Sequence, residues 1–215
     1  MSKIMFNKHY GLETAVIEGY KTKTRREEKS LRVLPTEYNH MLTEIEFYPY
    51  DLVEQAIPAA RYYMGNLVET FSLKPRYKIG EKVTIAQAYS DILPLLTPTF
   101  ASPHAYDFLR EEKGYRNKMF VMEKYMPHHI EITGIKVERL QDICNEDCLC
   151  EGVLKWLDCY IVAGIMERGG NNNECFDTPR LAFARLIDKV SKKGTWERNP
   201  WVYVYSFIKC QYEER

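Results

Sequence analysis

The chain has 215 residues, with 30 Lys and Arg balanced by 30 Asp and Glu, so it carries no formal net charge. Neutrality removes any global electrostatic reason to bind nucleic acid or a membrane surface, and a basic site must be local. At 45% apolar and 28% charged residues, the composition is that of a folded globular protein rather than a disordered or fibrous one.

A chain of this length buries roughly 70% of its unfolded surface and needs no metal or disulfide to be stable. Aromatic residues reach 13%, including 16 Tyr, which favours a β-rich core or surfaces that stack on flat ligands. The first residues lack the apolar core of a signal peptide, and the longest apolar stretch, 153–166, is interrupted by Lys155 and Asp158. The expectation is a cytoplasmic chain without a membrane partner, its six cysteines reduced.

Leu12, Ala15 and Val16 recur at helical spacing, and Gly19 is a helix stop. The densest basic segment follows, with six cations and two carboxylates over 21–32. Pro35, Pro49 and Pro58 punctuate 27–73, which reads as an insertion holding one or two short helices within 52–71. Val83, Ile85, Gln87 and Tyr89 alternate with the period of a strand over 83–89. Pro94, Pro98 and Pro103 mark a second loop-like insertion at about 93–122.

Ile130, Ile132, Ile135 and Val137 form a second strand pattern over 130–139, whose frame slips at Gly134 and predicts a β-bulge. Asn145 is the expected cap of a short helix that carries Glu146 and Asp147 in its first turn and Glu151 at its end, before Gly152. Thr178-Pro179 opens a helix over 178–190 with Phe183, Leu186, Ile187 and Val190 on one face and Gly194 as its stop. The apolar run 201–208 reads as a strand buried on both faces. Strands interleaved with few helices predict an α+β domain with a small β-barrel.

There is no His-Glu-x-x-His, no Gly-x-Ser-x-Gly, no phosphate loop and no Gly-x-Gly-x-x-Gly. Cys144, Cys148, Cys150 and Cys159 lack paired Cys-x2-Cys spacing, so they read as core thiols rather than zinc ligands, and no metal or cofactor is expected. His128 and His129 read as a solvent-facing pair. The segment Lys21-Thr22-Lys23-Thr24-Arg25-Arg26 alternates hydroxyls with cations directly after a helix stop, which suits an anionic or carbonyl-bearing ligand.

Four blocks carry a resemblance. They are Phe6-Asn7 with Gly11-Leu12 and Gly19-Tyr20-Lys21-Thr22-Lys23-Thr24-Arg25-Arg26, then Lys74-Pro75-Arg76-Tyr77-Lys78-Ile79-Gly80-Glu81, then Ile132-Thr133-Gly134-Ile135-Lys136-Val137-Glu138-Arg139-Leu140-Gln141-Asp142-Ile143 followed by Glu151-Gly152, and Asn199-Pro200-Trp201-Val202-Tyr203-Val204. In this order they resemble ASCH-domain proteins. The resemblance spans 1–215 as a single domain, apart from the insertions at about 27–73 and 93–122. It implies a PUA-like fold, a small β-barrel with flanking helices and a cleft, and a role in binding RNA or a modified nucleoside.

One branch of that superfamily is similar to a bacterial amidohydrolase that removes the acetyl group from N4-acetylcytidine. Its motif positions fall on Lys21, Thr24 and Glu151 as implied catalytic residues, with Thr22, Lys23, Arg25 and Arg26 as implied ligand contacts. That enzyme is shorter, so the insertions stand to cover or reshape the cleft. The primary expectation is RNA or nucleotide binding, and the alternative is amide hydrolysis. In the alternative, Thr24 is the nucleophile. Either Lys21 acts as a neutral base, or Glu151 activates the attack while Lys21 holds the oxyanion.

Overall fold

A computed structural model describes residues 2–34, 43–96, 104, 106–166 and 173–210. Strand β1 (Ser2–Ile4) leads to helix α1 (Leu12–Glu18), then β2 (Lys23–Arg26) and a 3-10 turn at Lys29–Val33. Strands β3 (Thr43–Phe47), β4 (Ile57–Tyr63) and β5 (Asn66–Leu73) follow, then β6 (Lys82–Ile85) and α2 (Tyr89–Leu96). Several 3-10 turns precede β7 (His129–Arg139), α3 (Asn145–Cys150), β8 (Leu154–Trp156) and β9 (Cys159–Ile161). Helices α4 (Pro179–Val190) and α5 (Thr195–Arg198) precede β10 (Trp201–Cys210).

The architecture is α+β. The main sheet runs in the order β1-β6-β7-β10-β2, with β1 parallel to β6 and every other pair antiparallel. Among the described residues this row is open, with no closed barrel. The three expected strands therefore stand as neighbours in one sheet. The bulge lies where the frame slip put it: Ser206 pairs with Gly134 but Phe207 with Ile132, which leaves Thr133 unmatched on β7. Helix α4 starts as its sequence predicts, with the Thr178 hydroxyl accepting from the Leu181 N–H at 3.2 Å and Pro179 at its first position.

Several expectations are corrected. The strand expected over 83–89 ends at Ile85, because both neighbours run out there: Ile85 N–H to His128 O and Ala86 N–H to Ile4 O are the last bonds to β7 and β1. Beyond it Tyr89 opens α2 and is buried in a satellite core with Ile92, Leu109, Val121 and Met126. The helices expected within 52–71 are instead the hairpin β4–β5. Met64 and Gly65 supply two successive positive φ angles, 50° and 77°, as a tight two-residue hairpin turn requires.

Gly194 does not close α4. Ser191 does, and Gly194 (φ 82°) instead precedes α5. Not all six cysteines are reduced, since Cys159 and Cys175 form a disulfide that ties β9 to the segment before α4. His129 is buried at the end of β7 rather than facing solvent, because its strand position turns it inward against the sheet. Among the described residues no helix is long and apolar enough to cross a membrane.

The aromatic surplus goes largely into the core. Tyr77, Tyr203, Tyr205, Phe183 and Phe207 are all fully buried, and Tyr77 meets Tyr205 edge to face with centroids 5.2 Å apart. Beneath α1, Gly152 takes φ 104°, and a Cβ there would meet Leu12 Cδ2 at 2.9 Å. Both facts predict that Gly152→Ala destabilises the protein by roughly 1–3 kcal/mol. Urea unfolding of the two proteins measures it.

Candidate functional site

The site begins where α1 stops. Gly19 (φ 90°) caps α1 through N–H bonds to Ala15 O and Val16 O, and the chain doubles back so that the Lys21 N–H reaches Ala15 O at 2.9 Å. Thr22 N–H then donates to Cys150 O at the end of α3, and Phe207 N–H on β10 donates to Thr22 O, both at 2.9 Å. Residues 20–22 are thereby pinned between α1, α3 and β10 before β2 starts.

Strand β2 is an edge strand paired only with β10, Thr24 opposite Tyr205 and Arg25 opposite Val204. Alternation sends Thr24 and Arg26 to one face and Lys23 and Arg25 to the other. Helix α3 covers the second face. Its cap is Cys144, not Asn145: the Cys144 sulfur accepts from the Asp147 N–H at 3.4 Å, a role a thiol fills weakly. Asp147 and Glu151 stand four residues apart and so share one side of that short helix.

Those two carboxylates meet the basic segment. Lys21 is 2% exposed, and its ammonium donates to Glu151 Oε2 at 2.6 Å, Glu151 O at 2.8 Å and Lys23 O at 2.7 Å. All three of its donors are therefore used. Arg25 spreads its guanidinium over three carboxylates of β7 and α3: Nε to Glu138 Oε1 at 2.8 Å, NH1 to Glu151 Oε1 at 3.1 Å and NH2 to Asp147 Oδ2 at 2.6 Å. Lys23 completes Asp147, and Lys136 completes Glu138 at 2.6 Å.

The electrostatics follow from burial and pairing. Burial pulls the Lys21 ammonium below the ordinary lysine value, although Glu151 pulls the other way. Burial also disfavours the Arg25 charge, but Glu151, Glu138 and Asp147 more than offset it and hold that guanidinium above the usual arginine range. Burial would raise Asp147, yet hydrogen bonds from Lys23 and Arg25 hold it below the usual aspartate range. The neighbouring Cys148 thiol is pushed up to about 12 by burial and is inert.

Thr24 is 6% exposed, and among the described residues nothing hydrogen-bonds its hydroxyl. Lys21, Thr24 and Glu151, distant in sequence, line one cleft of about 830 Å³. Helix α4 supplies its apolar wall with Phe183, Leu186, Ile187 and Val190. Eight cationic side chains and three carboxylates also line it. Arg26 belongs to it: its guanidinium lies 5.7 Å from the Phe6 ring centroid and donates to Met5 O at 2.8 Å.

Not every expected contact reaches the cleft. Thr22 and Lys23 lie outside its lining, Thr22 spending its backbone on α3 and β10 and Lys23 its charge on Asp147. Arg25 lines it, but its charge is consumed by three carboxylates. Asp147 and Glu138 were missed by the sequence reading. The four-residue spacing of Asp147 from Glu151 was the available signal for the first, and the alternation Lys136-Val137-Glu138 for the second. Among the described residues, no three His, Cys, Asp or Glu side chains are grouped as a metal site.

The chain matches no protein-family model, no curated protein and no solved structure.

Removing one partner of a buried ion pair strands the other charge. Glu151→Gln is therefore expected to cost roughly 3 kcal/mol or more, with Lys21 and Arg25 both left short of an anion. The double variant Lys21→Met/Glu151→Leu is expected to lose less than the sum of Lys21→Met and Glu151→Leu. Urea unfolding of these variants and the parent measures the coupling; strict additivity would contradict the pairing.

Proposed function

We propose that the cleft hydrolyses the amide of an N-acylated cytidine or a related small nucleoside amide. The observation that carries this reading is a desolvated Lys21–Glu151 ion pair in the same cleft as a Thr24 hydroxyl with no hydrogen-bond partner among the described residues. The likeness of the Lys-Thr-x-Thr-Arg-Arg block to ASCH-domain proteins agrees with it. On this reading the open sheet is the core of a PUA-like barrel, and the 43–73 meander is an addition to it.

The chemistry uses Lys21 as the base and Glu151 as a positioning group. Both Glu151 oxygens already accept from cations, Oε1 from Arg25 and Oε2 from Lys21, so on this reading the carboxylate holds Lys21 in place rather than engaging the Thr24 hydroxyl. Arg25 keeps Glu151 compensated when Lys21 gives up its proton. Neutral Lys21 then takes the Thr24 hydroxyl proton as Oγ1 adds to the acyl carbonyl carbon. Collapse breaks the C–N bond, and the proton passes from Lys21 to the leaving amine. Water next cleaves the acyl-threonine ester and regenerates the hydroxyl.

A second reading, RNA binding without turnover, is favoured by the excess of cations in the lining. It predicts single-strand binding whose logarithm falls with log salt, with a slope of about −0.7 per phosphate neutralised.

Turnover of N4-acetylcytidine, followed by release of acetate, tests the first reading. Thr24→Ala is expected to lower kcat by roughly a thousandfold or more, as loss of a nucleophile does, and Thr24→Ser to retain measurable activity. Because only neutral Lys21 accepts a proton, kcat/KM rises with pH. It levels off below the ordinary lysine value, since burial lowers Lys21. Glu151 holds the Lys21 pKa up, so in Glu151→Gln, assayed below its unfolding midpoint, the rising limb moves to lower pH. A profile without a rising limb, or full activity in Thr24→Ala, contradicts the mechanism.

A further inference from the structure

The cations of the cleft divide into two groups. Lys21 and Arg25 are neutralised from within by Glu151, Asp147 and Glu138, and Arg198 forks onto Glu27 at 2.9 and 3.1 Å. Arg26, Lys29, Arg32, Arg76 and Lys192 form no ion pair with any described carboxylate, although all five line the cleft. The remaining lining carboxylate offers them little. Glu28 Oε1 accepts from the Tyr205 hydroxyl at 2.6 Å, and its Oε2 accepts from the Arg76 backbone N–H at 3.0 Å.

Two of these surplus cations, Arg32 and Lys192, act on one lining carboxylate, Glu27. The Glu27 carboxyl is held below its ordinary value first by the Arg198 hydrogen bond, then also by the charges of Arg32 and Lys192. Arg198 of α5 thus contacts this carboxylate, while Arg32 of the 3-10 turn and Lys192, just past α4, act on it through their charge alone. On β2, Arg26 Nε is buried and has no hydrogen-bond partner among the described residues. A buried guanidinium donor left without a partner is destabilising unless something satisfies it. A cavity of about 830 Å³ is in the range that holds one small ligand rather than a long strand.

We infer that the cleft holds a phosphate subsite built from Arg26, Lys29, Arg32, Arg76 and Lys192, so that the ligand is a phosphorylated mononucleotide rather than a free nucleoside. The inference rests on the hydrolase reading only for the identity of the base end. The phosphate end follows from the unpaired cations. Arginine forks suit a phosphate monoester because they donate two parallel N–H bonds to it.

The test uses the full chain carrying Thr24→Ala, so that binding is read without turnover. Calorimetric titration compares N4-acetylcytidine 5′-monophosphate with N4-acetylcytidine. The monophosphate is expected to bind at least about tenfold tighter, the worth of one charge-assisted contact. That advantage should disappear in Arg32→Ala/Lys192→Ala, whose exposed side chains leave the thermal midpoint in place. Equal affinities overturn the subsite. So does inorganic phosphate binding as tightly as the nucleotide, because the base end would then not be held. Tighter binding of an unphosphorylated hexacytidylate, with a salt slope of several phosphates, assigns the cations to an RNA backbone and also overturns it. In the parent protein, a phosphate preference without acetate release upholds the subsite and rejects hydrolysis alone.

Discussion

The Arg25 guanidinium is the interaction on which the site depends. Strand β2 is short, lies at a sheet edge and has one ladder partner. Such a strand is weakly specified by its backbone alone, and a slip of one residue would exchange its faces. Arg25 removes that freedom, because its three nitrogens reach carboxylates on β7 and on two positions of α3. A slipped register would leave Glu138, Asp147 and Glu151 short of their common cation. Arginine suits the position because its planar fork holds several acceptors at fixed angles, whereas a lysine would hold them only as a point charge.

Locking Arg25 toward α3 settles where its neighbours face. Thr24 and Arg26 are sent to the opposite face of β2, next to Tyr205 and Tyr203. Lys21, just before the strand, is drawn under the end of α3, where its ammonium meets both the carboxylate and the carbonyl of Glu151. A carboxylate at a helix C-terminus is poorly placed with respect to the helix dipole. Lys21 answers both negative ends at once. Buried ion pairs of this kind add little net stability over apolar packing, but they make one arrangement far better than its alternatives.

Local signals were legible and tertiary ones were not. The bulge at Gly134, the Thr178-Pro179 helix start and the buried strand at 201–208 each follow from a few adjacent residues, and the structure has them. The hairpin at 57–73 was read as helical because prolines obscured a two-residue turn, Met64-Gly65, that has no Asn or Asp to mark it. The inward-facing His129 was misread because neighbouring histidines were expected to share solvent, although a strand separates them. Helix α3 was legible, but its Cys144 cap was not, because a sulfur acceptor is rare there. The Cys159–Cys175 link joins residues 16 apart across a loop, and no spacing rule distinguishes them from the other four cysteines. The convergence of Lys21 and Glu151 was legible only through family resemblance, since no periodicity connects positions 130 residues apart.

The charge of the molecule is neutral in sum and uneven in place. Thirty cations and thirty carboxylates cancel over the whole chain, so its distant field is weak and salt screens what remains within about 10 Å. The cleft nevertheless gathers eight cations against three carboxylates, with an apolar helix wall beside them. Low-dielectric walls strengthen those charges at short range without making the whole surface sticky. On the proposed reading, a ligand is therefore selected after it enters rather than steered from afar. That separation explains why the paired Lys21 and Arg25 lie buried while Lys29, Arg32 and Lys192 stay exposed. The first pair holds β2 and α3 in register, and the second group keeps charge that no described carboxylate takes up.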